Sequence, residues 1–134
     1  MRKWILVFLL LIGMRGMGQV MFQKTYGGTG DDYGQCVLQT TDGGYIISGT
    51  TKSFGTGNDD YYLIKTNAIG DTLWTRTYGT FNNEQECFVS QTNDGGYIIS
   101  GNSYDTTGQC NFYLIKANSN GDTLWTKNIF IFTL

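Results

Sequence analysis

The chain has 134 residues, enough for one domain, with 19 Gly, no Pro and 15% aromatic residues. This composition is typical of many short strands joined by glycine-rich turns and argues against a helical protein. The formal net charge is −2 and there is no His, which excludes the basic surface of a nucleic-acid-binding protein and the usual His-containing zinc sites. We therefore expect no nucleic-acid partner, no metal and no cofactor.

The first 18 residues have the pattern of a secretory signal peptide. Two basic residues precede an apolar run at 4–12, and small residues follow it before a cleavage site predicted in front of Gln19. The run is shorter than the about 20 residues that a membrane-spanning helix needs, so we expect no integral membrane span after cleavage and a secreted or cell-surface location. Arg15, close to the cleavage site, leaves an uncleaved anchor as the alternative. Cleavage removes three of the nine basic residues and leaves a formal charge of −5.

Beyond this leader, the chain repeats itself. Three segments occur twice, 51 or 52 residues apart: DGGYIISG at 42–49 and 94–101, YLIK at 62–65 and 113–116, and GDTLWT at 70–75 and 121–126. A fixed period of this length predicts stacked supersecondary units. The sequence therefore predicts two copies of one structural unit.

The first unit predicts four strands in chain order, at 35–40, 45–50, 61–66 and 72–78. The Asp-Gly-Gly turn at 41–44 tolerates the positive φ that a tight hairpin needs. Three of the strands have apolar residues on both faces, so we expect a sheet that is covered on both sides. The stacked four-stranded blades of a β-propeller satisfy this requirement, and a β-sandwich is the alternative.

A further strand is predicted at 20–26, in front of the first unit. Residues 24–27 (Lys-Thr-Tyr-Gly) match residues 76–79 (Arg-Thr-Tyr-Gly), so this leading strand corresponds to the fourth strand of a blade. The expected organisation is a signal peptide at 1–18, a leading strand and loop at 19–32, units at 33–79 and 80–129, and an apolar tail at 130–134.

Two units are fewer than the about four to eight blades of a closed propeller. One interpretation is that the chain is a truncated fragment of a longer propeller. The other is self-association through exposed blade faces, in which several copies close a ring and each leading strand completes the last blade of a neighbour. An apolar, β-prone tail at 130–134 favours pairing with other chains.

The first unit, YGQCVLQTTDGGYIISGTTKSFGTGNDDYYLIKTNAIGDTLWTRTYG, resembles the blade unit of secreted bacterial β-propeller-repeat proteins, a kelch-like group. The resemblance covers residues 22–128 and is carried by the DGGYIISG, YLIK and GDTLWT segments. It implies an all-β partial propeller of two four-stranded antiparallel blades, placed outside the cell, with a presumed binding or adhesion role. It implies no reaction.

The long loops carry the candidate binding residues. Because the predicted strands alternate in direction, the connections at 27–33 and 51–60 are expected at the same end of the stack, together with their counterparts in the second unit. They place these acidic residues on one surface: Asp31, Asp32, Asp59, Asp60, Glu84 and Asp105, with Asn83 and Glu86 beside them. Aromatic rings near this surface that could stack on a sugar are Tyr33, Phe54, Phe81 and Tyr104.

Two interpretations of this acidic surface stay open. It predicts a ligand-binding site, for Ca²⁺, for the hydroxyl groups of a glycan, or for a protein partner. Alternatively, these residues only shape turns and keep a secreted surface soluble. The second interpretation is favoured by the absence of any run with the spacing of a calcium-binding loop.

Catalysis is not expected. Glycoside hydrolysis needs two carboxyl groups about 5 to 10 Å apart across a cleft, whereas adjacent residues such as Asp59 and Asp60 diverge in an extended chain. Without His, a Ser or Cys nucleophile lacks its usual base. We therefore predict a non-catalytic module, with a glycoside hydrolase as the less favoured alternative.

The remaining recurrent residues are interpreted as structural. The Trp of each GDTLWT segment is expected to pack between blades, and Lys65 and Lys116 are expected to keep solvated charges on apolar stems. Cys36 and Cys87 are 51 residues apart where their neighbours are 52 apart, so their thiols should lie on opposite faces of equivalent strands. We expect small buried residues here rather than a repeated functional pair.

Overall fold

The computed structural model describes residues 22–56 and 58–130, which form two sheets. The strands are β1 (Asp32–Gln39), β2 (Tyr45–Thr51), β3 (Asp60–Thr66), β4 (Thr72–Tyr78), β5 (Asn83–Gln91), β6 (Tyr97–Tyr104), β7 (Cys110–Ala117) and β8 (Thr123–Phe130). Strands β1–β4 form sheet 1 and strands β5–β8 form sheet 2, each an antiparallel meander in chain order. These described residues contain no helix, and therefore none that could cross a membrane.

The predicted all-β class with two four-stranded antiparallel sheets is confirmed. The meander order within each sheet is that of a propeller-type blade, in which consecutive strands are neighbours. The predicted signal peptide at 1–18 lies outside the described residues, as does all but the first residue of the apolar tail at 130–134.

Tight hairpin turns connect β1 to β2 and β5 to β6, as the Asp-Gly-Gly segments predict. In the first turn, the Thr40 amide donates to the Gly44 carbonyl at 2.9 Å, and the Gly43 amide donates to the Thr40 carbonyl at 2.9 Å. The Gly44 amide also donates to Asp42 Oδ1 at 3.0 Å. Gly43 has φ +83°, a conformation that a residue with a Cβ adopts only at a cost. The turn therefore depends on this glycine.

Lys65 ties the first turn to strand β3, and its charge is buried. The residue is 4% exposed, and Nζ lies 2.9 Å from Asp42 Oδ2 and 2.9 Å from the Thr66 carbonyl oxygen. Lys116 makes the corresponding ion pair with Asp94 at 2.8 Å. The expectation of solvated lysine charges is wrong, because the carboxylate of each turn compensates the ammonium group on the strand behind it.

The two sheets pack face to face, and the core lies between them. Its largest members have an exposure of 1% or less: Ile46, Tyr61 and Leu63 from sheet 1, and Tyr97, Ile99 and Ile115 from sheet 2. The Tyr61 ring stacks on the Tyr113 ring with 6.1 Å between centroids, and its hydroxyl donates to the Asn102 carbonyl at 3.0 Å. Burial of each such aliphatic side chain contributes about 1.5–3 kcal/mol, so each sheet depends on its neighbour for stability.

Bulges in β1 and β5 place two of the cysteines. Cys36 pairs with Ser48, whose hydroxyl donates across the interface to the Cys87 carbonyl at 2.8 Å. Cys87 is fully buried, and the half-buried Cys36 packs against the same core. The two thiols thus enter the space between the sheets from opposite sides, and these and Cys110 are free. The interpretation as small packing residues is confirmed for Cys87 and Cys36.

The segment at 22–26 is not a strand, so the predicted leading strand is wrong over its described part, while residues 20 and 21 lie outside the described residues. The segment lies on sheet 1 through side chains, as in the ion pair of Lys24 with Asp71 at 2.9 Å. It pairs with neither sheet, each of which consists of four consecutive strands. Strand β8 holds the fourth position of sheet 2, and completion of a neighbour's last blade by the leading segment stays a prediction.

Candidate functional site

The two long connections of the first unit meet at one end of sheet 1, as the alternating strands predict. The Lys52 amide donates to the Asp31 carbonyl at 2.9 Å, and the Gly30 amide donates to Ser53 Oγ at 2.9 Å. We call this end, together with the corresponding connections of sheet 2, the loop end. The six predicted acidic binding residues all lie at the loop end, but their side chains have different environments.

Asp32 organises the connection that precedes β1. Its Oδ2 accepts hydrogen bonds from the Gly28 amide at 2.7 Å and from Ser53 Oγ at 2.7 Å, and its Oδ1 accepts one from Thr51 Oγ1. Burial disfavours the charged form of Asp32, but the hydrogen bonds from Thr51, Gly28 and Ser53 together outweigh it and lower the pKa. The carboxylate is therefore a loop-shaping group rather than a free ligand-binding group.

Glu84 occupies the position of Asp32 in sheet 2, and it is fully buried. Its Oε1 accepts hydrogen bonds from Thr80 Oγ1 at 2.8 Å and Ser103 Oγ at 3.1 Å, whereas its Oε2 has no hydrogen-bond partner among the described residues. Burial raises the pKa of Glu84, and the nearby charge of Asp60 adds to the effect. A buried carboxyl with a raised pKa favours its protonated form.

Asp60 and Asp105 are also used within the fold. Asp60 is 1% exposed, and its Oδ2 accepts the Thr56 amide at 2.7 Å within the long loop. Asp105 Oδ1 accepts the amides of Thr107 and Gln109, each at 2.9 Å. The hydrogen bonds from Thr107 and Gln109 lower the pKa of Asp105. Both residues therefore match the turn-shaping interpretation.

Asp31 and Asp59 are the two predicted residues that share a cation. Lys52 Nζ lies 4.0 Å from a carboxylate oxygen of each. The side chain of Asp31 is 69% exposed, whereas that of Asp59 is 14% exposed. The Asp59 carbonyl accepts the Glu84 amide at 2.8 Å, which joins the loop ends of the two sheets.

A cleft of about 210 Å³ opens between the two sheets at the loop end. It is lined by Tyr33, Gln35, Thr50, Asp59, Gln85 and Glu86. Glu86 lies in the bulge of β5 with φ +59°, which is uncommon for a residue other than Gly. Its Oε2 accepts a hydrogen bond from Asn102 Nδ2 at 2.5 Å, which holds the carboxylate in place. The two bulges of the first strands thus create a polar site that regular strand pairing would not provide.

The cleft overlaps only in part with the predicted site. Of the six predicted acidic residues only Asp59 lines it, together with Glu86, which was expected beside them. Of the four predicted stacking rings only Tyr33 lines it, and it is 57% exposed. Phe54 packs on Tyr62 instead, with 5.4 Å between ring centroids. Phe81 is 89% exposed outside the cleft, and the half-buried Tyr104 lies beside Asp105 in a separate depression.

Sequence reasoning missed the two glutamines of the cleft, Gln35 and Gln85. A signal for them was present in the comparison of the two units, which differ in the middle of their first strands. Gly34 corresponds to Glu86 at an offset of 52, and Gln35 corresponds to Cys87. Only Val37 and Gln39 of β1 recur in β5, and a loss of the repeat at 33–36 is consistent with a bulge, which often redirects side chains at sites.

The described residues provide no cluster for a metal ion. Among residues 22–56 and 58–130, no group of three or more His, Cys, Asp or Glu side chains is arranged to hold one. Asp31 and Asp59 instead face the ammonium group of Lys52. The geometry therefore gives the calcium interpretation of the acidic surface no support.

No protein-family model matches this chain, and no curated protein is significantly similar to it. The resemblance to propeller-repeat proteins therefore stays a prediction. The function has to be inferred from the cleft and from the way in which the two sheets pack.

Proposed function

We propose that this chain is a non-catalytic module that is exported and binds a glycan outside the cell, with one sugar unit held in the cleft at the loop end. The observation that supports the proposal is the set of groups in that cleft. An exposed tyrosine, two glutamines, a threonine and two acidic residues line a single space of about 210 Å³. The signal-peptide pattern at 1–18 is the reason to expect export.

These groups fit the chemistry of a sugar. Sugar hydroxyls both donate and accept hydrogen bonds, so they match carboxylates, which accept, and amides, which do both. An exposed aromatic ring such as Tyr33 can cover the apolar face of a sugar ring. The cleft is smaller than the about 300–1,000 Å³ typical of pockets for drug-sized ligands, which favours a terminal sugar or one unit of a chain.

The carboxyl groups favour binding over hydrolysis. A glycosidase needs a carboxylic acid with a raised pKa that faces its substrate. Burial raises the pKa of Glu84, but this carboxyl group is fully buried and does not line the cleft. Asp60, the neighbour of Asp59, is buried as well and is held by the Thr56 amide. The pair Asp59 and Asp60 therefore does not act on one ligand.

The test is a thermal-shift screen of the chain purified after export, with neutral, acidic and amino glycans. We expect one glycan class to raise the melting temperature, since a ligand at 100 times its Kd adds about 2.7 kcal/mol to the free energy of unfolding. Tyr33→Ala should weaken that binding about tenfold, because it removes the stacking ring. Phe81→Ala is the matched control, since Phe81 is exposed outside the cleft.

Two results would contradict the proposal. One is a melting temperature that no glycan class changes. The other is equal affinity of Tyr33→Ala and Phe81→Ala for a glycan that does bind. A rise produced by Ca²⁺ alone and reversed by a chelator would favour the calcium-binding alternative, and release of free sugar from a glycoside panel would favour the hydrolase.

A further inference from the structure

The contact between the two sheets includes three side-chain interactions made by β4. The Trp74 ring meets the Tyr97 ring edge-on at 5.9 Å between centroids, as predicted for packing between units. Arg76 Nη2 lies 3.3 Å from Asp122 Oδ1. The Tyr78 hydroxyl donates to the Gly121 carbonyl at 2.7 Å. From Trp74 to Tyr78, every second residue of β4 thus contacts sheet 2: an aromatic ring at Trp74, a cation at Arg76 and a hydroxyl group at Tyr78.

The segment at 22–26 repeats all three interactions on sheet 1. The pairs are Phe22 with Tyr45 at 5.8 Å between ring centroids, Lys24 Nζ with Asp71 Oδ1 at 2.9 Å, and the Tyr26 hydroxyl with the Gly70 carbonyl at 2.7 Å. Each residue of the segment lies 52 positions before its counterpart in β4. The segment therefore occupies the docking position of a fourth strand from a preceding sheet. It does so through side chains and without a strand ladder of its own.

Strand β8 carries the same docking groups on the far side of sheet 2. Lys127 Nζ lies 5.9 Å from the centre of the Trp125 ring, as Arg76 lies 5.7 Å from that of Trp74. Trp125 is 41% exposed, so its ring is accessible. Ile129 stands where β4 has Tyr78, so β8 keeps the aromatic residue and the cation but lacks the hydroxyl.

The two outer sheet faces also correspond to the two inner ones. On the far face of sheet 2, Ile98, Phe112 and Leu114 are half-buried; their counterparts Ile46, Tyr61 and Leu63 are fully buried against sheet 2. On the outer face of sheet 1, an apolar cleft of about 150 Å³ is lined in part by Ile47, Tyr62 and Ile64. The counterparts of these three, Ile99, Tyr113 and Ile115, are the residues that receive sheet 1. The far face of sheet 2 therefore corresponds to the inner face of sheet 1, and the outer face of sheet 1 corresponds to the inner face of sheet 2.

We propose that the far face of sheet 2 of one copy docks on the outer face of sheet 1 of a second copy. In this contact β8 displaces the segment at 22–26 of the second copy, and Lys127 takes the place of Lys24 beside Asp71. The two surfaces differ, so the contact is heterologous and forms a closed ring or an open filament. The segment at 22–26 acts as an internal competitor that sets the concentration at which copies associate. This inference does not depend on the glycan-binding proposal.

The first test measures molar mass against concentration by light scattering, with the chain purified after export. Lys127→Glu should weaken association at least about tenfold, because it places a second carboxylate beside Asp71 of the neighbouring copy. An equimolar mixture with Asp71→Lys should restore association, since the carboxylate introduced at position 127 then meets the ammonium group introduced at position 71. Thr126→Glu is the matched control, because Thr126 is exposed on β8 and pairs with Ile115, which faces sheet 1.

The second test addresses the competition. Tyr26→Phe removes the hydrogen bond to Gly70 and keeps the ring, so it should release the segment and tighten association about fivefold. Tyr45→Phe is the matched control, because it keeps the ring that contacts Phe22. A chain that stays monomeric at all concentrations overturns the proposal, as does association that Lys127→Glu leaves unchanged. Weaker association of Tyr26→Phe overturns the role of the segment as a competitor.

Discussion

Sheet 1 and sheet 2 have closely similar sequences, yet their strands differ in burial. Strand β3 is buried along its whole length, whereas β7 alternates between buried and half-buried residues. Sheet 2 covers one face of β3, and Phe54 of the long loop covers Tyr62 on the other face. Among the described residues, β7 is covered only by sheet 1. Whether an apolar face of a sheet is buried therefore depends on which sheet or loop packs against it.

Loss of a leucine in each sheet tests this difference most strongly. Leu63 is fully buried between the sheets, and Leu114 stands half-buried at the corresponding position of β7. We expect Leu63→Ala to lower the free energy of unfolding by about 3 kcal/mol and Leu114→Ala by about 1 kcal/mol. Urea denaturation at a concentration where the chain is monomeric measures both. Equal losses would show that stacking does not distinguish the two positions.

The turn glycines should behave in the opposite way, with equal effects in both sheets. Gly43 and Gly95 have φ +83° and +79°, and a Cβ at either would have no heavy atom within 4 Å. Only backbone strain opposes Ala, so Gly43→Ala and Gly95→Ala should each cost about 1 kcal/mol. Thermal unfolding of the two variants measures this cost. A difference of more than about 1 kcal/mol between the two variants would mean that packing between the sheets also affects the stability of the turns.

The local structure of this chain follows closely from its residues. The strand predicted at 72–78 is observed as Thr72–Tyr78, and the strand predicted at 45–50 as Tyr45–Thr51. The Asp-Gly-Gly turns form as expected. These features depend on short-range preferences, such as the freedom of glycine and the alternation of side chains, which the sequence displays directly.

The site could not be predicted in the same way, because it depends on contacts between sheets. The cleft lies beside the bulges at Gln35 and Glu86, where the Cys87 amide of β5 donates to Gln35 Oε1 of β1 at 2.9 Å. Likewise, the sequence gives no reason to expect a buried charge at Lys65, because the ion pair with Asp42 forms only in the folded sheet. The acidic residues were correctly expected at one end, but hydrogen bonds within the loops use most of their carboxylates. The sequence pattern indicates at which end of the sheets a carboxylate lies, but it does not indicate which hydrogen-bond donor the carboxylate contacts.

Asp32 and Glu84 give the finest comparison, since they are equivalent carboxyl groups with opposite pKa shifts. The pKa of Asp32 is lowered, so its contribution to stability is present above its unfolded pKa and is lost as the pH falls through the folded pKa. The pKa of Glu84 is raised, so its contribution is present below its unfolded pKa and is lost as the pH rises through the folded pKa. The two pH windows therefore lie on opposite sides of the ordinary carboxyl range.

Amide variants should separate these two effects. At about pH 7 we expect Asp32→Asn to lower the free energy of unfolding by roughly 1 kcal/mol and Glu84→Gln to raise it by up to about 1 kcal/mol. Urea unfolding from about pH 3 to pH 8 should show the Asp32→Asn difference shrinking towards the acid end and the Glu84→Gln difference shrinking as the pH falls from neutrality. Effects of the same sign at neutral pH would contradict the assignment of Glu84 as a buried, proton-binding carboxyl. Opposite signs would support opposite pKa shifts for these two carboxyl groups, of which Glu84 is fully buried and Asp32 is held by three hydrogen-bond donors.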